Sequence, residues 1–150
     1  MFLKRHPKFC LIFDPHEPDI KHELFNNGAD WKEFYGDIKE ERPPGCPEPL
    51  GNALTISCFV DANHTGNVVT RRLHTGILIF IQKTCMIQFS KRQNSVESAT
   101  YGSESTALRI AQDLLVALCL KLMSFAIPIN GPCNVFMDNE AVFECKYTRI

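Results

Sequence analysis

Apolar and polar positions alternate most clearly over residues 54–61 (LTISCFVD). Leu54, Ile56, Cys58 and Val60 fall on one side of an extended chain, and Thr55, Ser57, Phe59 and Asp61 on the other. The pattern predicts a strand buried on its first side and ending in a carboxylate. The turn-like ANHTGN follows, so Asp61 is expected at the strand's C-terminal tip, where α/β proteins commonly place their chemistry. The plainer reading is an Asp that caps the next turn. Beyond the polar stretch 62–74, Gly76 opens GILIFIQ, a second β-rich run. Lys83 and Thr84 then make a tight turn, and CMIQF returns as a third strand. The short connections predict an antiparallel meander.

The period changes over residues 101–126. Leu108, Ala111, Leu115, Leu118 and Leu122 recur at spacings of three and four, the apolar stripe of a helix that Pro128 brings to an end. Arg109 and Asp113 form an i,i+4 pair on another face. Glu104 lies four residues before Leu108, on the buried stripe near the helix N-terminus. Burying a lone charge is costly, and the helix dipole offsets only part of the cost. Either that end of the helix is open to solvent or a cation meets Glu104. After the turn at 130–132, CNVFMD predicts a fourth strand with Cys133, Val135 and Met137 on one face and Phe136 and Asp138 on the other. A strand, a helix and a strand imply a right-handed crossover that sets the fourth strand parallel to the first. If the two are neighbours, Asp61 and Asp138 end side by side.

Residues 1–50 have a different texture. They are rich in proline and charge, with four prolines between Arg42 and Pro49 that exclude regular helix or central strand. A short strand over 9–13 and a turn or short helix anchored by Trp31, Phe34 and Tyr35 are the only elements expected there. The segment reads as a linker that packs against something else, and residues 51–150 as the folded domain. The N-terminal apolar run ends at Asp14 after five residues, too short for a signal peptide, and no stretch has the length of a membrane span.

Composition narrows the classes further. The 150 residues, 45% hydrophobic and 22% charged with a net charge of −1, suit a soluble globular domain and give no global attraction to nucleic acid. Seven cysteines with no CxxC spacing argue against a disulfide framework or a zinc knuckle and for reduced thiols in a cytoplasmic or nuclear setting. His64 and His74 are expected in loops, without metal-ligand spacing. The chemistry therefore rests on carboxylates. Asp61, Glu104 and Asp138 meeting at one place would repel one another unless a counter-cation joined them. Oxygen ligands suit Mg²⁺ or Mn²⁺, and two such ions can hydrolyse a phosphodiester.

The residues also carry a resemblance. CFVDANHTG, TRRLHTGILIFI, MIQFSKRQNSVESATYGSESTALRIA and VFMDNEAV are similar, in order, to the ribonuclease H domain of copia-type retrotransposon polyproteins. That family shows D-x-D-x-A-G, T-R-R-S-x-x-G, S-K-K-Q-x-x-V with E-Y/F-x-A-L, and D-N. The likeness covers residues 52 to about 143, and HPKFCLIFDP with DWKEFYGDIKEERPPGCPEPLG resembles the segment that joins reverse transcriptase to that domain. It implies a ribonuclease H-like mixed sheet, the antiparallel meander plus a parallel fourth strand, with a crossover helix. It implies the acidic triad Asp61, Glu104 and Asp138, which would hold Mg²⁺ or Mn²⁺ and cleave the RNA strand of an RNA–DNA hybrid. It further implies a hybrid-binding surface from Thr70, Arg71, Arg72, Ser90, Lys91, Arg92 and Gln93, whose basic and hydroxyl groups suit phosphate; the alternative is that the basic ones are solvated loop charges. The reverse transcriptase part of the parent polyprotein is the implied partner.

Departures from the pattern matter. The family's second acid is replaced by Asn63, its Ser after the paired arginines by Leu73, and its aromatic after the glutamate by Ser105. A complete domain of that family adds a fifth strand, a last helix and a fourth acid, for which Glu144 comes too soon, so the domain is expected to be C-terminally truncated. An inactive relic with a structural role is therefore the competing reading. An integrase-type reaction fits less well, because its usual order is Asp, Asp, Glu.

Overall fold

The computed structural model describes residues 12–20, 36, 41–63, 74–93 and 100–138. They build four strands, β1 (Ile56–Asn63), β2 (His74–Ile81), β3 (Thr84–Arg92) and β4 (Asn134–Phe136), and one long helix, α1 (Thr100–Ser124). The strands form one mixed sheet in the order β3-β2-β1-β4. β1 pairs antiparallel with β2, and β2 with β3, which is the expected meander. β4 returns through α1 to pair parallel with β1, as the crossover argument requires.

The core lies between α1 and one face of the sheet. Ile56, Cys58 and Val60 of β1 and Ile77 and Ile79 of β2 are buried there against Ala107, Ala111, Leu115 and Leu122 of α1. Each fully buried Ile or Leu contributes about 1.5–3 kcal/mol by leaving water, and the two alanines let the helix backbone come close to the strands. The fully buried line runs through Ala107 instead of Leu108, which is half-buried. Desolvation at the centre of this layer pushes the Cys58 thiol up to about 11.

Element boundaries depart from the sequence pattern where hydrogen bonding overrides alternation. β1 begins two residues later than predicted, because Leu54 makes an isolated parallel bridge with Ile129 instead. The interval from Leu54 to Ser57 is matched by the longer interval from Ile129 to Asn134, so the extra chain loops out through Gly131 at positive φ. β4 is consequently reduced to three residues from the expected six. The β2–β3 turn falls on Gln82 and Lys83, one residue early, with Gln82 at φ 55°.

α1 stops in a left-handed cap at Ala126 (φ 61°), where Ile127 N–H donates to the Leu122 carbonyl and Ala126 N–H to that of Met123. The Ala126 carbonyl in turn accepts from Leu50 N–H at 2.7 Å, tying the proline-rich segment to the helix end. The earlier segment docks at the β2–β3 turn, where the buried Thr84 Oγ1 accepts from Asp14 N–H and donates to its carbonyl. Ile12 and Phe13, expected in a strand, are exposed and irregular, while residues 9–11 and the aromatic group at 31–35 lie outside the described residues. Among the described residues no helix is long and apolar enough to cross a membrane.

Candidate active site

The face of the sheet turned away from α1 is assembled by the opposite half of each strand's alternation. Phe59 and Asp61 of β1, Gly76 and Leu78 of β2, Gln88 and Ser90 of β3, Phe136 of β4 and Asp138 just beyond it all line a groove of about 770 Å³. Phe59 stacks on Phe136, with ring centroids 4.8 Å apart and planes 11° from parallel, and takes Phe80 edge-on at 5.6 Å. Pairing of this kind adds about 0.5–1.5 kcal/mol beyond burial. It fixes β4 against β1 just where the acids follow.

Asp61 is not at the end of its strand, since β1 continues through Asn63 and pairs Asp61 with Gly76. Its carboxylate is exposed on the groove, as is that of Asp138. The parallel register runs Ser57 with Asn134, Cys58 with Val135 and Phe59 with Phe136. Asp61 and Asp138 each lie two residues beyond the last of these pairs, and both line the groove. A Cβ built on Gly76 would meet only the Asp61 carbonyl oxygen, at 3.9 Å, so the backbone leaves room for a side chain there. Glycine instead leaves the space beside Asp61 open to solvent.

Glu104 faces inward as its spacing predicted and is 5% exposed, so the helix end is closed to water at this residue. It belongs, however, to the helix side of the sheet, whereas Asp61 shares the Phe59 side. Glu104 is not among the residues that line the groove. Among the described residues, no three His, Cys, Asp or Glu side chains gather closely enough to hold a metal ion. The two aspartates alone still suit a hard cation such as Mg²⁺, which is commonly held by one or two carboxylates and completes its shell with water and phosphate oxygens.

Of the residues expected on a nucleic-acid surface, Ser90, Lys91 and Arg92 are exposed at the end of β3, and Ser90 lines the groove. Arg92, two residues beyond Ser90, shares its face. Gln93, expected with them, lies inside: it is 5% exposed, and its amide nitrogen donates to Thr75 Oγ1 and to the Ser103 carbonyl, each at 2.9 Å. Its role is to join the sheet to the start of α1. Thr70, Arg71 and Arg72 lie outside the described residues, as does His64, while His74 opens β2 instead of sitting in a loop. Phe59, Phe136 and Gly76 were not singled out from sequence. The alternation that places Asp61 and Asp138 also places these three beside them.

Comparisons of the chain with protein-family models, with curated proteins and with solved structures find no match.

Proposed function

We propose that the chain is a ribonuclease H-type domain of copia-type retrotransposon origin that acts on the RNA strand of RNA–DNA hybrids with Mg²⁺ or Mn²⁺. The observation that carries this reading is that Asp61 and Asp138, far apart in sequence, line one groove beside the parallel β1–β4 pair. The order of motifs along the chain and the meander–helix–strand connection agree with it. In this reading Asp61 and Asp138 would hold the cation, which when bound stabilises charge on phosphate oxygens and lowers the pKa of a bound water. The protein's own part is to position. Stacked Phe59 and Phe136 hold the two acids in register, Ser90 and Arg92 offer a hydroxyl and a charge to the phosphate backbone, and the apolar floor of the groove limits competing water.

The full chain incubated with a labelled hybrid is expected to cut the RNA strand in Mg²⁺ and to stop on chelation. Asp61→Asn and Asp138→Asn should each lower the rate by on the order of 100-fold or more, the scale of losing one essential charge-stabilising group. Equal cleavage by wild type and both variants would remove the assignment.

A second reading has its own support. Two of the three acids that the resemblance implies, Asp61 and Asp138, line the groove, while Glu104 is buried and does not. A relic that keeps the fold without turnover would give no cleavage in either metal.

A further inference from the structure

We propose that Cys119 and Cys133 are a reversible redox pair whose disulfide staples α1 to the start of β4. Their sulfurs lie 3.6 Å apart, one on the second-to-last turn of α1 and the other on the residue before β4. Both are half-buried and packed against the edge of the core, so a small oxidant can reach them while the surrounding side chains hold them together. The chain between them is already folded back by the left-handed residues Ala126 and Gly131 and by the Leu54–Ile129 bridge. Closing the gap to the roughly 2.05 Å of a disulfide requires side-chain rotation and a slight approach of two adjacent elements. Cys58 provides the contrast: fully buried, with its thiol held neutral up to about pH 11, it lacks both access and thiolate.

The oxidant is a small disulfide such as oxidised glutathione. The thiolate of one cysteine attacks it, forming a mixed disulfide and expelling one glutathione thiolate. The second cysteine, as thiolate, attacks the protein sulfur of that mixed disulfide and expels the second. Two electrons pass from the cysteine pair to glutathione, and the two protons the cysteines give up end on the two reduced glutathiones. The product ties down the short strand that leads to Asp138. The proposal stands on the sulfur geometry and does not depend on the nuclease reading.

The test uses the full chain, equilibrated natively with oxidised glutathione, blocked with an alkylating agent and digested with trypsin and Glu-C. This cleavage separates Cys133 from Cys145. Residues 110–121 joined to 122–140, lighter by two hydrogens than the sum of the peptides, are the expected product, with Cys58 unmodified. The oxidised protein should melt roughly 10 °C higher than the reduced one, as closure of a loop of about 15 residues predicts. Dithiothreitol should reverse the shift, and Cys119→Ser should abolish it. Should that variant fail to fold, the wild-type peptide map and paired melts decide. Cys133 found joined to Cys145, the bond appearing only in denaturant, or both thiols still alkylated while Cys46 has become glutathionylated would overturn the proposal.

Discussion

Asp61 and Cys58 sit three positions apart on one strand and meet opposite environments, because an odd separation changes the face of the pleat. The groove side leaves Asp61 in water. The core side removes Cys58 from it and holds its thiol protonated well above the ordinary value near 9. A thiol whose folded pKa is raised keeps its proton while the unfolded chain loses one, so the unfolded state binds fewer protons and stability falls as pH rises. The melting temperature is therefore expected to drop between about pH 9 and 11, and Cys58→Ala should flatten that drop. Thermal scans across the window check it; an unchanged slope in the variant would assign the fall to other groups. Gly76 offers a second test at this scale. Gly76→Leu would fill the groove beside Asp61 without touching the core, so cleavage or Mg²⁺ binding should weaken at least about tenfold while the melt changes little.

At the scale of elements, periodicity located each strand and the helix but not their ends. Strand alternation and the helical stripe are long-range repeats, and they survive in β1, β2, β3 and α1. Ends are set by local hydrogen bonds that no periodic pattern records: the Leu54–Ile129 bridge, the cap at Ala126, and the turn at Gln82. At the candidate site, spacing turned Glu104 inward, and the residue is buried. Gln93 was misplaced for a related reason, since a polar residue at a strand end gives no sign that its amide has two internal acceptors waiting. The turn itself is testable. Gln82 adopts a left-handed conformation that costs a side-chain-bearing residue about 1 kcal/mol. Among the described residues its side chain returns one long hydrogen bond, accepted from Thr55 N–H at 3.4 Å. Gln82→Gly is thus expected to raise the melting temperature by a few degrees.

For the whole molecule, one helix covers one face of the described sheet, and the groove occupies the other. Phe59 and Leu78 remain substantially exposed on that second face. The arrangement separates the two faces: the packed core lies on the helix side, while the groove side presents charge and aromatic surface. The two aspartates are nonetheless braced unequally. Asp61 belongs to an interior strand with a neighbour on each flank, whereas Asp138 follows a three-residue strand paired on one flank among the described residues. Local opening of the chain should begin at this less supported side. A cation bridging both acids would then report itself in amide hydrogen exchange, slowing it at Val135 and Phe136 and leaving the centre of β2 at its former rate.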